Sequence, residues 1–275
     1  MTNSRHMDIL NEEQLRAHDI VTNNLHTHLD GKRPKQILMM LVGLGGTGKF
    51  TVLNTITMTF DKLDVPHLLG KMALSGVATS LMGGTTPHWY AGLPPFTTPQ
   101  SDIWPDNPSN KIRERQTKKL QSIEWLAINE MGMCTLDLLT LLLQVAGKVH
   151  MDDGKANATI LFGGLNIILL SDFHQFPSVG APNAALYCPP VVRNTATVGK
   201  AIYSQFKTVI DLVQQWRIKD KEWMDILQRS REGECTEHDI HKIWKLIITN
   251  PNCEVPNFAS EPWNQATLIT PRNCV

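Results

Sequence analysis

The residues best suited to chemistry form a glycine-rich stretch that ends in a lysine, GLGGTGK over residues 43–49. This stretch fits the GxxxxGK part of a phosphate-binding loop. Glycines let successive backbone N–H groups point at phosphate oxygens, and the ammonium group of Lys49 adds a positive charge. The residues predicted to hold the phosphates of a nucleotide are Gly43, Gly45, Gly46, Thr47, Gly48 and Lys49.

The position after the lysine departs from this pattern. Phosphate-binding loops have Ser or Thr there, and its hydroxyl binds Mg²⁺. This chain has Phe50, which offers no oxygen to a cation that requires oxygen ligands. Thr51 follows, but one helical step turns it by about 100°, so we expect a poor replacement. The sequence therefore predicts a weakened or lost magnesium contact.

A second acidic motif is predicted where the apolar run of residues 123–128 ends in Asn129 and Glu130. ATPases with this loop place an Asp-Glu pair there, in which the Asp holds the magnesium shell and the Glu polarises the attacking water. Asn129 stands at the Asp position, so a second metal contact is altered. A chance Asn-Glu pair after a core strand is the alternative for this segment alone.

A third segment, GGLNIILLSDFHQFP over residues 163–177, carries the most specific pattern. It closely resembles the third motif of the petite integration frequency (Pif-type) DNA helicases of superfamily one, GGxxxxxxGDFxQxPPV. The resemblance implies a RecA-like phosphate-loop domain in which Gln175 senses the γ-phosphate. It also implies ATP and Mg²⁺ as cofactors, and roles in DNA repair, recombination and telomere maintenance.

Other segments resemble further motifs of the same family, in the same order. LNEEQ, ending in Gln14, is similar to the adenine-reading motif, and LVQQWR, ending in Arg217, is similar to a motif whose arginine meets the γ-phosphate. ALSGVATSLMGGTTPH over residues 73–88 resembles the segment that runs along single-stranded DNA. TPRN over residues 270–273 resembles the start of a second motor domain. The DNA contacts implied by this resemblance are Ser75, Thr85 and His88.

Three further positions depart from the family pattern. Ser171 replaces a glycine, Gly132 replaces a serine, and Gln214 replaces a glutamate.

The elements expected to position these residues form an α/β fold with a mostly parallel sheet. Continuous apolar runs predict strands over residues 37–42, 68–74, 123–128 and 166–170. Apolar residues at helical spacing predict helices over residues 12–29 and 136–145, and another after residue 49. Two amphipathic helices are predicted around Ile226 and Ile243, and residues 83–108 are predicted to be loop.

We predict three parts along the chain: an adenine-side helix in residues 1–30, a RecA-like domain in residues 31–250, and residues 251–275. The last part combines a Pro- and Asn-rich linker with a strand over residues 266–270. We expect that strand to begin a second motor domain that is otherwise truncated.

Composition excludes several classes of protein. Lys and Arg together number 26, as do Asp and Glu, so no global field attracts nucleic acid and any DNA contact must be local. The five cysteines lack CxxC pairing, which argues against a disulfide framework or a structural zinc site. Neither a signal peptide nor a membrane span is evident, and we expect a soluble, monomeric, intracellular protein. The resemblance implies a nuclear or mitochondrial location.

Two features could contact DNA or could be merely structural. The basic residues between Lys111 and Lys119 could touch phosphates or form a solvated helix face. Trp89 and Tyr90 could stack on bases or cap the core.

The resemblance implies an ATP-dependent DNA helicase that moves along single-stranded DNA and separates duplexes or junctions. Because two magnesium contacts are altered, we predict that this chain turns over ATP poorly. The alternative is a remnant that binds nucleotide or single-stranded DNA without hydrolysis. A small-molecule kinase is a third interpretation, which the segments around Gln14 and Gln175 disfavour because a kinase needs no polynucleotide track.

Overall fold

Five strands make one parallel sheet in the computed structural model of the chain. The structure describes residues 10–92, 110–154, 160–175, 177–178, 184–189, 194–253, 255–261 and 263–266. The strands, in the order β2-β3-β4-β1-β5 across the sheet, are β1 (Leu38–Gly43), β2 (Leu69–Ala73), β3 (Trp125–Asn129), β4 (Asn166–Ser171) and β5 (Thr208–Leu212). This arrangement confirms the predicted α/β class.

The helices are α1 (Glu12–Leu29), α2 (Lys49–Lys62), α3 (Gly76–Leu81), α4 (Pro87–Tyr90), α5 (Asn110–Leu120), α6 (Leu136–Asp152), α7 (Asn194–Tyr203), α8 (Lys221–Glu232) and α9 (Glu237–Trp244). Helices α1 to α7 belong to the same compact unit as the sheet, and α8 and α9 belong to a second unit. Short 3₁₀ turns lie at Pro66–Leu68, Met131–Met133, Leu161–Gly164 and Trp263–Gln265.

The core has two layers, one on each side of the sheet. On β4, Ile167 and Leu169 pack with the helices α6 and α7, whereas Ile168 and Leu170 pack with α1 and α2. All six residues of β4 are buried. Both faces of a parallel sheet are covered in this way, which is why residues 167–170 of its central strand are all apolar rather than alternating with polar residues.

Some predicted elements differ from the structure. The helix predicted over residues 136–145 continues to Asp152, and the predicted loop contains α4. The edge strand β5 and the helix α7 have no counterpart in the prediction. Residues 93–108 of the predicted loop and all but Ala266 of the predicted strand 266–270 lie outside the described residues, as does the TPRN motif.

The chain divides into two compact units, one ending at Arg217 and one beginning at Ile218. In the second unit, Arg229 on α8 donates two hydrogen bonds of 2.7 Å to the buried Asp239 on α9. These bonds hold the pKa of Asp239 well below its usual range. The predicted linker and the start of a second motor domain stay predictions. No helix in the described ranges has the length and apolarity needed to cross a membrane.

Candidate functional site

The predicted site residues lie at the carboxyl edge of the sheet. β1 ends at Gly43, β3 at Asn129, β4 at Ser171 and β5 at Leu212, and each is followed by a segment that was expected to do chemistry. Because all the strands are parallel, these four ends lie along one edge. Open parallel sheets bind ligands at this edge.

The glycine-rich loop follows β1 and runs into α2. Gly46 and Gly48 have left-handed φ values of 91° and 89°, which side chains other than glycine rarely adopt. A Cβ atom at Gly48 would collide with the side-chain amide of Gln14, and one at Gly46 would collide with Gln215. The loop therefore needs glycine for its backbone angles and for its close neighbours.

Hydrogen bonds from distant segments fix the carbonyl groups of this loop. The Gln14 amide donates to the carbonyl oxygen of Thr47 at 2.9 Å. The Gln215 amide donates to that of Gly45 at 2.8 Å, and the backbone N–H of Trp216 donates to that of Gly46 at 3.0 Å. With its carbonyls held from outside, the loop is a preformed structure rather than a mobile glycine turn.

Lys49 begins α2 and folds back over the loop. Its Nζ donates to the carbonyl oxygens of Gly43 at 2.7 Å and Leu44 at 2.9 Å. The ammonium group is therefore held beside the backbone that precedes it. The start of α2 adds the positive end of a 14-residue helix at the same place.

A cleft of about 660 Å³ opens above the loop. Residues from every strand end named above, and from α1, line it: Gln14, Gly45, Gly46, Gly48, Lys49, Phe50, Thr51, Asn129, Glu130, Asp172, Gln175, Trp216 and Arg217. Gln14, Glu130, Gln175 and Arg217 are far apart in sequence, the first and the last by 203 positions. The fold thus brings together the residues that the motifs singled out.

Two of the predicted phosphate-holding residues do not line the cleft. Thr47 is fully buried, and its hydroxyl donates to the carbonyl oxygen of Leu44 at 2.9 Å. Gly43 packs against β5, where a Cβ atom would lie 2.6 Å from the carbonyl oxygen of Leu212. Both residues lie beneath the loop, and the Thr47 hydroxyl is taken up by a bond within the loop.

Glu130 has a strained backbone at the end of β3. Its φ of 61° and ψ of 36° lie in the left-handed region, which a residue with a Cβ atom rarely occupies. Such strain costs on the order of 1–3 kcal/mol and is concentrated at functional sites. The conformation sets the Glu130 carboxylate at the edge of the cleft, immediately after the buried strand.

The residues present at the two magnesium positions do not fit a magnesium ion. Phe50 lines the cleft with 39% of its surface exposed and supplies a phenyl ring, and Asn129 supplies a neutral amide. A hard divalent cation requires oxygen ligands and favours carboxylates. Within the described ranges, no three His, Cys, Asp or Glu side chains group closely enough to hold a metal ion. Thr51, expected to turn away, also lines the cleft.

Asp172, Gln215 and Trp216 contribute to the site, although sequence reasoning gave them no role. Asp172 directly follows β4 and is 5% exposed, and its Oδ2 accepts a hydrogen bond of 2.9 Å from the backbone N–H of Gly45. A carboxylate just past a strand end was a usable signal for Asp172. The contact itself spans 127 positions and leaves no local trace in the sequence.

The three residues predicted to contact DNA follow β2. The Ser75 hydroxyl caps α3 by accepting from the backbone N–H of Ala78 at 3.2 Å. Thr85 pairs with β2 through the backbone, and its hydroxyl oxygen is buried. His88 lies on α4 and is half-buried. Ser75 and Thr85 therefore have structural positions, and DNA contact by all three residues stays a prediction.

Trp89 and Tyr90 divide between the two alternatives left open by the sequence. Tyr90 is buried in the core, where burial raises the pKa of its hydroxyl. Trp89 is 47% exposed, and the Lys119 ammonium lies 3.6 Å from the centre of its ring. Partial burial lowers the pKa of Lys119. An exposed aromatic ring with a cation over it therefore marks the surface where α4 meets α5.

Sequence comparisons find relatives among DNA helicases. The chain is 26% identical to the ATP-dependent DNA helicase RRM3 of Saccharomyces cerevisiae over 243 residues, which cover 84% of this chain and 30% of that protein. It is also 26% identical to the human ATP-dependent DNA helicase PIF1 over 199 residues, which cover 72% of this chain and 28% of that protein. The chain thus spans about 30% of the length of the curated relatives it matches.

Structural comparisons find the same architecture. The crystal structure of Pif1 helicase from Candida albicans matches 86% of this chain and 48% of its own, with a TM-score of 0.63 and 22% identity. That of Pif1 from Bacteroides in complex with ADP-AlF3 and single-stranded DNA matches 88% and 51%, with a TM-score of 0.60 and 20% identity. At these identities the matches establish the RecA-like fold.

The family profile of PIF1-like helicases matches residues 9–240, which include the glycine-rich loop and every residue that lines the cleft. The motifs, the parallel sheet and the cleft at its carboxyl edge agree with this match. The chain therefore belongs to the PIF1-like helicase family.

Proposed function

We propose that this chain is the nucleotide-binding part of an ATP-dependent DNA helicase, and that it binds ATP but hydrolyses it slowly. The observation that carries the proposal is the cleft in which Lys49, Glu130, Gln175 and Arg217 converge on a preformed glycine loop. Lys49 and the loop amides hold the phosphates, while Gln14 reads the base. Glu130 orients water, and Gln175 and Arg217 meet the γ-phosphate, where the arginine stabilises developing charge.

Impaired hydrolysis follows from the same cleft. Metal ions supply several kcal/mol of charge stabilisation in phosphoryl transfer. Losing about 4 kcal/mol of that slows the reaction about a thousandfold. Phe50 and Asn129 both affect the same ion, so neither alteration compensates for the other.

The proposal is tested by measuring ATP binding and DNA-stimulated ATP hydrolysis in magnesium for the native chain and for a Phe50→Ser, Asn129→Asp double variant. We expect both to bind ATP and only the double variant to hydrolyse it measurably. Adding Glu130→Gln to the double variant should abolish the gained activity, which excludes a contaminating ATPase. Equal and substantial turnover in the native chain contradicts impairment, and absence of ATP binding contradicts the whole proposal.

Single-stranded DNA, alone or at junctions, is the proposed partner. Trp89 is half exposed and offers an aromatic surface for an unpaired base, and Lys119, whose ammonium covers one face of the ring, adds a cation that attracts the backbone. Ser75 and His88 lie on neighbouring helices and are the proposed polar contacts. Trp89→Ala should weaken binding of a labelled oligothymidine, whereas the exposed Trp244→Ala on the second unit serves as a matched control.

The second candidate function is a nucleotide- or DNA-binding protein without hydrolysis. The phenyl ring of Phe50 at a metal position favours it specifically. It is supported if the Phe50→Ser, Asn129→Asp variant binds ATP but still does not hydrolyse it with DNA present. We further propose that the chain acts as a monomer, in the nucleus or in mitochondria.

A further inference from the structure

The Asp172 carboxylate accepts hydrogen bonds from two donors that the proposed function assigns to phosphate. Its Oδ2 accepts from the backbone N–H of Gly45 at 2.9 Å and from the side-chain amide of Gln175 at 3.3 Å. Its Oδ1 accepts from the backbone N–H of His174 at 3.1 Å. Asp172 lines the cleft with only 5% of its surface exposed, so its carboxylate is buried rather than solvated.

Gly45 and Gln175 are the groups that the proposed function assigns to phosphate. A carboxylate oxygen and a phosphate oxygen are both anionic acceptors, and both suit an N–H donor of this kind. One backbone N–H cannot donate fully to both at once. A triphosphate that enters the cleft therefore competes with Asp172 for the same donors, and the two anions also repel each other.

We infer that Asp172 is a positioning residue whose carboxylate accepts the hydrogen bonds of a phosphate group before the nucleotide binds. This inference rests on the proposed function and deepens it. While Asp172 holds them, the Gly45 N–H and the Gln175 amide stay oriented toward the cleft with their hydrogen bonds satisfied. Binding of a triphosphate exchanges the carboxylate for phosphate oxygens, and that exchange releases Gln175 to follow the γ-phosphate.

Removal of the charge should favour the nucleotide over the Asp172 side chain. Asp172→Asn keeps the shape and one acceptor oxygen but removes the negative charge. We expect it to tighten ATP binding about tenfold, which corresponds to about 1.4 kcal/mol. Binding of adenosine, which has no phosphate, should not change. The matched control is Asp61→Asn, which removes an exposed carboxylate near the far end of α2.

The experiment measures dissociation constants for ATP and adenosine by equilibrium dialysis on the full chain, with Asp172→Ala as a second variant. A tighter ATP constant with an unchanged adenosine constant, in either variant that keeps the native circular dichroism, supports the inference. If both variants bind ATP no more tightly than the native chain, or if ATP and adenosine shift together, Asp172 has only a structural role. If neither the native chain nor the variants bind ATP, the proposed function fails and this inference falls with it.

Discussion

The glycine-rich loop and the two magnesium positions border the same cleft, yet they differ in what they are made of. The loop presents backbone amides and one lysine, and at Gly43, Gly46 and Gly48 the neighbours leave no room for a side chain. The magnesium positions depend on the side chains at residues 50 and 129, and both depart from the expected chemistry. A phosphate site built from backbone is insensitive to the residue that follows the lysine, whereas a metal site disappears with one ligand.

The comparison leads us to expect that nucleotide binding does not depend on metal binding in this chain. Gln14, Gln215 and Trp216 each fix the loop from outside by a direct hydrogen bond. Variants of the loop, variants of residues 132 and 171, and removal of magnesium test this expectation.

The largest effect is expected from Lys49→Ala, because it removes the only side-chain cation that the loop motif supplies to phosphate. ATP binding should weaken about a hundredfold, near the upper end of the roughly 1.5–3 kcal/mol of a charge-assisted hydrogen bond. Titration calorimetry measures the change. Lys62→Ala, at the exposed end of the same helix, should leave ATP affinity unaltered. A change below threefold for Lys49→Ala would show that the loop does not hold the phosphates.

Gly48→Ala should destabilise the chain more than Gly31→Ala, and the difference between the two losses is the effect tested. Both glycines have positive φ, 89° and 73°, so both variants lose roughly 1–2 kcal/mol to left-handed strain. Only at Gly48 does the new Cβ also collide with Gln14, which adds about 1–3 kcal/mol of overpacking. Urea unfolding followed by circular dichroism gives both free energies. Equal losses would mean that Gln14 moves aside and does not fix the loop.

Gly132 and Ser171 test whether two departures from the family pattern compensate for each other. They depart from the family pattern in opposite directions, and a Cβ at Gly132 would lie 3.3 Å from the Ser171 hydroxyl and 3.2 Å from the carbonyl oxygen of Asp172. Gly132→Ser should destabilise the chain, and adding Ser171→Gly should recover about 1 kcal/mol, a coupling typical of residues in contact. A double-mutant cycle of unfolding free energies measures it. Strict additivity would show two unrelated substitutions.

The smallest effect is expected from removing magnesium. ATP affinity of the native chain in EDTA should agree with that in magnesium within about twofold, which is below 0.5 kcal/mol. The Phe50→Ser, Asn129→Asp variant provides the contrast and should lose affinity in EDTA. Strong magnesium dependence in the native chain would mean that other oxygens in the cleft hold the ion.

The sequence predicted the central part of the fold because its strands are runs of apolar residues. β1 and β4 are continuous apolar runs with covered faces, and no other element suits such runs beside glycine turns. β5 escaped prediction because it is an edge strand, in which Thr208, Val209 and Asp211 are exposed and only Ile210 and Leu212 are buried. The helix α7 is short and contains threonine and glycine, which are weak helix formers.

The site was predictable as far as motifs carry it. The glycine-rich loop pointed to Lys49, a strand end to Glu130 and the family resemblance to Gln175, and all three residues line one cleft. The hydrogen bond from Gly45 to Asp172 could not be predicted, because it depends on how the loops after two strands meet. The buried place of Thr47 was equally hidden, since its hydroxyl turns back to Leu44 within the loop.

The hydrogen bonds of Gln14 affect the energetics of the proposed recognition of the base. Its Oε1 accepts from the backbone N–H of Asn11 at 3.1 Å, while its backbone N–H donates to the Asn11 side chain at 2.9 Å. The same side chain also anchors the Thr47 carbonyl. A purine bound by Gln14, as proposed, shares an amide that already holds the first turn of α1, so we expect amide hydrogen exchange at the start of this helix to quicken when the base binds.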